Sequence, residues 1–177
     1  LSAVRKLRDQ LSLMNLSDEA QYEIDFRLAQ KEAQFERALL LAYEIKLEAL
    51  ADDGVVTAGQ LVQVSTFVAN RGNADISARG VTFNGFDNSG VGCGTDVVDA
   101  ESVYSCDSQL RIPADAANTK PYFERLPDVA RYVFKSDVPF GAAFKPSPFS
   151  VTFSIKFDSE QIDVTLPIQH RYEENIF

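Results

Sequence analysis

The sequence predicts a mainly β protein: an immunoglobulin- or fibronectin-like antiparallel β-sandwich preceded by an α-helical hairpin. Two observations carry this. The first third has apolar residues at steps of three and four among charges, whereas everything after Val55 is built from β-branched and aromatic residues broken by turn chemistry. Near the C-terminus, Phe149, Val151, Phe153, Ile155 and Phe157 alternate with Ser150, Thr152, Ser154, Lys156 and Asp158. Ile162, Val164, Leu166 and Ile168 then alternate with Asp163, Thr165, Pro167 and Gln169. That period of two gives one buried and one wet face, and the intervening Asp158-Ser159-Glu160-Gln161 makes the pair an antiparallel hairpin.

Taken in order, Val4, Leu7, Leu11 and Met14 form one stripe of a helix over residues 1–15. Ser17 then offers an N-cap with Asp18 and Glu19 in the first turn, where the helix dipole favours negative charge. The stripe Leu28, Phe35, Leu39, Ala42, Ile45 and Ala49 predicts a second helix from Asp18 to Leu50, ending at Asp52-Asp53-Gly54. The domain division expected is therefore 1–51 as helical connector and 52–177 as sandwich. A helix of that length would measure about 50 Å, against about 36 Å for a compact domain of the rest, so it is expected to overhang. Its stripe residues Phe35, Leu39 and Ile45 are the candidate contact with another domain or a second copy.

Strands are expected at Leu61 to Asn70 and Ile76 to Phe86, with weaker ones at Val91 to Val98, Val103 to Ile112 and Ala130 to Phe134. About seven or eight short strands at these spacings argue for two packed sheets, and no repeat of the length used by propellers or solenoids is present.

The net charge of −9 divides into −2 over residues 1–50 and −7 over the rest. Acid of that density makes nucleic acid and anionic membrane surfaces poor partners. No apolar run is long enough to span a bilayer, and Leu1 to Lys6 lacks the order of a signal peptide, so the chain as given is expected to be soluble. It opens without Met inside a helical pattern, which suggests a piece of a longer protein.

No residue pattern announces a reaction, and no catalytic residue, metal site or cofactor is expected. His170 is the only histidine and reads as a strand-end residue. Asp96, Asp99, Glu101 and Asp107 lack the order of a calcium loop and read as solvated acid. Gly90-Val91-Gly92-Cys93-Gly94 matches no phosphate-binding motif. Cys93 and Cys106 suit a disulfide between neighbouring strands in an oxidising compartment, and in a reducing one they are two small inert side chains. The Pro- and aromatic-rich stretch between Pro113 and Pro148 supplies Tyr122, Phe123, Tyr132, Phe140 and Phe144 as a candidate ligand or interdomain surface. Packing is the expected use of these rings. Carbohydrate is the alternative ligand, although Trp, the best stacking platform, is absent.

The run from Ala51 to Gly72 resembles the opening of bacterial immunoglobulin-like adhesion or NEW3-type modules, whose first strands read v-x-G-x-x-v-x-v-x-v-x-N-x-G. The helix before it, Thr119-Lys-Pro-Tyr-Phe, Val138-Pro-Phe-Gly-Ala-Ala-Phe-Lys-Pro-Ser-Pro-Phe149 and Pro167-Ile-Gln-His-Arg-Tyr172 resemble the downstream region of long bacterial PIG-L (LmbE-like) deacetylases. That family's zinc motif, A-H-P-D-D, has no counterpart here: Asp52-Asp53 has no His-Pro before it. The resemblance implies a non-catalytic accessory module following an enzyme domain in an exported, extracellular or periplasmic parent, and so favours the disulfide. A carbohydrate-binding module and an adhesion or self-assembly module are the rival readings.

Overall fold

A computed structural model describes residues 1–88, 90, 92–119, 121, 123–128, 130–134 and 146–172, with the side chain of Glu124 left aside. Two helices, α1 (Ser2–Leu11) and α2 (Asp18–Ala42), precede strands β1 (Ile45–Ala51), β2 (Leu61–Asn70), β3 (Ile76–Asn84), β4 (Asp96–Val98), β5 (Ser102–Arg111), β6 (Phe123–Arg125), β7 (Tyr132–Phe134), β8 (Ser150–Phe157) and β9 (Glu160–Pro167).

The helical hairpin forms as its caps dictate. The Ser17 hydroxyl accepts from the Ala20 amide at 3.3 Å, and Asp18 and Glu19 occupy the first turn. Its far end corrects the expectation. α2 stops at Ala42, Glu44 takes a left-handed conformation (φ 54°), and residues 45–51 form a strand rather than the last turns of helix. Ile-Lys-Leu-Glu-Ala-Leu-Ala satisfies both periods, since Ala42, Ile45 and Ala49 fit a helix stripe while Ile45, Leu47 and Ala49 alternate with charges. Pairing decides between them: all seven residues of β1 are in register with β2, from Ile45 opposite Asn70 to Ala51 opposite Val64. Asp52-Asp53-Gly54 is consequently a loop between two strands. There the Asp53 carboxylate accepts from the Val55 amide at 2.9 Å and the Gln60 side chain at 3.0 Å. Ile45 lies in the sheet, and α2 measures about 38 Å, not about 50 Å.

The sandwich consists of a sheet ordered β1-β2-β5 facing one ordered β4-β3-β8-β9, every hydrogen-bonded neighbour antiparallel. With β4 beside β3 instead of β5, this is the fibronectin-type arrangement. The core is the interdigitated inner faces: Val62, Val64 and Val68 of β2 and Leu110 of β5 against Val81 and Phe83 of β3 and Val151, Phe153, Ile155 and Phe157 of β8. A bulge between Ala78 and Gly80 shifts the parity of β3, so Ile76 and Ala78 before it and Val81 and Phe83 after it all point inward.

Both open sides of the sandwich are tied. On one, Gln169 bridges the sheets in parallel to β1, its amide donating to Ala49 O at 3.0 Å and its carbonyl accepting from the Ala51 amide at 2.8 Å. On the other, Cys93 and Cys106 form a disulfide with Cα atoms 6.2 Å apart. It joins an edge strand of one sheet, β5, to a segment bridged to Val81 of the other, so it is an inter-sheet staple rather than a link between paired strands. The approach is close enough that a Cβ on Gly92 would lie 2.0 Å from Val81 O. A third tie is Asn70, buried at the end of β2. Its amide donates to Ala74 O at 2.9 Å and to Val98 O and Asp99 O at 3.0 Å, and its carbonyl accepts from the Gly72 amide at 3.1 Å.

Candidate functional site

Among the described residues, the candidate side chains are not gathered into a reactive centre. Among the described residues, no three His, Cys, Asp or Glu side chains stand close enough to hold a metal ion. His170 places Nδ1 3.0 Å from Ala51 O and sets its ring edge-on to Tyr172, with centroids 4.6 Å apart. It closes the β1–β2 loop from outside: a Cβ on Gly54 would stand 2.9 Å from both His170 Cδ2 and Tyr172 Oη. Of the acidic group, Asp96 caps its own neighbour's amide, Asp99 contributes only its backbone carbonyl to Asn70 and Ser102, and Asp107 points outward from β5.

Between β1 and the end of β9 lies a cavity of about 250 Å³. Leu47, Ala49, Leu50, Leu166 and Pro167 line it, and the Arg171–Glu48 ion pair at 2.6 Å closes its rim. Hydrogen bonds from Lys46 and then Arg171 hold the Glu48 carboxyl below its ordinary range. The one acid of the lining, Glu48, is thus already paired with two cations.

The aromatic stretch is only partly described. β6 and β7 form a two-stranded ribbon with Phe123 opposite Phe134 and Arg125 opposite Tyr132. Phe123 and Tyr132 meet edge-on at 5.1 Å, and Tyr132 is 59% exposed. Tyr122, Phe140 and Phe144 lie outside the described residues. β6 was missed by sequence reasoning because a three-residue strand of Phe-Glu-Arg carries no alternation to detect.

The helical hairpin is the most unusual surface. No residue of α2 is buried, and only its last turns engage the sandwich. Leu39 and Leu40 pack on the core, the Tyr43 ring lies 4.8 Å from that of Phe157, and the Tyr43 hydroxyl donates to Asp158 at 2.8 Å. Phe35 and Leu39 border a cavity of about 230 Å³ with Leu1 and Glu160. Beside the buried Leu11 of α1, ion pairs cross between the helices. Arg5 reaches Glu32 at 2.7 Å and Glu36 at 2.8 Å, while Arg8 reaches Asp25 at 2.9 Å and Glu32 at 2.6 Å. These hydrogen bonds pull the Glu32 and Asp25 carboxyls down and raise the Arg8 guanidinium. Ser2 contacts Glu160, and Arg5 donates to Gln161 O at 2.7 Å, fastening α1 to the β8–β9 turn. Charge spent inside the hairpin leaves apolar residues outside it, with Tyr22 71%, Phe26 48% and Leu41 69% exposed.

No protein-family model and no curated protein matches the sequence. Among solved structures, that of Spo0M, the sporulation control protein of Bacillus subtilis, aligns over 73% of this chain and 50% of its own length, with 10% identity and a TM-score of 0.34. The chain thus spans about half the length of that structure.

Proposed function

We propose that this chain is a non-catalytic interaction module: a disulfide-stapled sandwich that carries a helical arm, serving as spacer or docking element in a larger, exported, PIG-L-like deacetylase. The observation that carries it is the arm, twenty-five residues of helix without one buried side chain, anchored at one end only. Helix length does not support the reading, since residues 45–51 are a strand and α2 ends at Ala42. The disulfide and the lack of any helix long and apolar enough to cross a membrane, among the described residues, are compatible with an extracellular or periplasmic parent. The test is to supply the isolated chain with zinc and N-acetylglucosamine derivatives. No hydrolysis is expected; turnover above a zinc-only control refutes the reading.

A second reading, carbohydrate binding, is favoured by the Phe123–Tyr132 ribbon alone. Calorimetric titration with polysaccharides, and loss of any signal on Tyr132→Ala, separates it from the first.

A further inference from the structure

On α2, Tyr22, Phe26, Ala29 and Ala33 follow one another at steps of four, three and four, which puts them on one side of the helix as a heptad seam. The seam borders the ionic face that α1 covers, with Ala29 partly buried at the boundary, and its two rings stack on each other with centroids 6.4 Å apart. It ends where the next heptad position, Glu36, is claimed by Arg5 at 2.8 Å. Two large residues come first and two alanines follow. Turned end for end, the same order is its own complement, because each ring then faces an alanine whose small side chain lets the backbones approach.

The flanking charges agree with that orientation. Antiparallel pairing brings the Asp25 and Glu32 flanks of two helices together, a repulsive contact were both acids free. Here Arg8 bridges the two, at 2.9 Å and 2.6 Å, and Arg5 also reaches Glu32 at 2.7 Å, which offsets most of that repulsion. On the other flank Glu23 would stand across from Gln30 of the second helix, an acceptor opposite a donor.

We propose that the occupant of this seam is a second copy of the chain, paired antiparallel along α2 so that Tyr22 covers Ala33 and Phe26 covers Ala29 of the second copy. This rests on reading the chain as an interaction module and names its partner.

The intact chain is examined by sedimentation velocity up to about 100 μM, the range of weak interfaces. A concentration-dependent doubling of mass is expected, abolished by Ala33→Glu and by Tyr22→Ser. Both positions are exposed, so the thermal melts of these variants at low concentration should match that of the parent chain. Under mild oxidation, Tyr22→Cys/Ala33→Cys should give a covalent dimer while Ala33→Cys alone does not. In the antiparallel pair the two copies of residue 33 are about 16 Å apart. A monomer throughout overturns the pairing, as does a covalent dimer of the single variant, which would mark a parallel pair. Neither outcome touches the non-catalytic reading, which fails only on hydrolysis by the same sample.

Discussion

Replacing Asn70 by alanine tests how the sandwich is held at its hairpin end. The side chain is 1% exposed and makes four contacts, its two N–H groups shared among three carbonyls and its oxygen accepting one bond. Ala74 O, Asp99 O and the Gly72 amide are only partly buried and can be rehydrated once the side chain is gone, whereas Val98 O stays enclosed. One stranded buried carbonyl costs about 1–3 kcal/mol, and the remaining exchanges with water about 0.5–1.5 kcal/mol between them, giving roughly 3 kcal/mol in total. For a chain of this length that lowers Tm by about 6–12 °C in a calorimetric or circular-dichroism melt. Asn70→Asp should be worse at neutral pH, because a carboxylate cannot donate to the three carbonyls and is repelled by them. A loss below about 1 kcal/mol for the alanine variant, or an aspartate variant as stable as the parent, would refute the role of Asn70 as a tie between β2, the 71–75 turn and the β4–β5 turn.

Reduction of Cys93–Cys106, or the double serine variant, should cost about 3 kcal/mol for a loop of this size, and thiol titration of the folded, unreduced chain should find no free thiol. Acid should undock α1. Asp25, Glu32 and Glu160 have folded pKa values below their ordinary ones, so their contribution is present above the usual carboxylate range and disappears as pH falls through the depressed values. Tm should therefore hold between about pH 5 and 8 and drop below about pH 4, with Glu32→Gln flattening the acid limb; a limb unchanged by that substitution would dissociate the ionic seam from acid stability. Glu44→Gly should stabilise by about 0.5–1 kcal/mol, since glycine takes the left-handed conformation at φ 54° without steric cost; destabilisation in urea titration would place the helix end elsewhere.

The strands at Leu61–Asn70 and the β8–β9 hairpin were legible because each has one wet and one buried face and the period of two survives in the residues, whereas Ile76–Asn84, whose period a bulge breaks, was legible from its β-branched and aromatic residues and the turn before it. The start of α2 was legible from Ser17 and the acids after it. As to the candidate site, the Cys93–Cys106 pair could be suspected from composition, but not that it spans the sheets. The contact stripe read as Phe35, Leu39 and Ile45 is divided between elements. Ile45 belongs to β1, and Leu39 packs on its own sandwich. The signal for the outward seam, the four-three-four spacing from Tyr22 to Ala33, was in the sequence, hidden by the more hydrophobic stripe beside it.

By itself, then, the sequence determined the class of fold, the caps and turns, the alternation of the long strands and the lack of any recognisable catalytic motif. All of these depend on neighbours within a few residues, where side-chain spacing and backbone preference act directly. Tertiary structure alone decided that Ile45–Ala51 is a strand, because seven backbone pairs with β2 outweigh a helix propensity worth tenths of a kcal/mol per residue. It also decided that Gln169 and the disulfide close opposite sides of the sandwich, and that Arg5 and Arg8 spend the acids of α2. Those contacts join residues far apart in the chain, and nothing in local spacing records which distant partner will be present when the sheets meet.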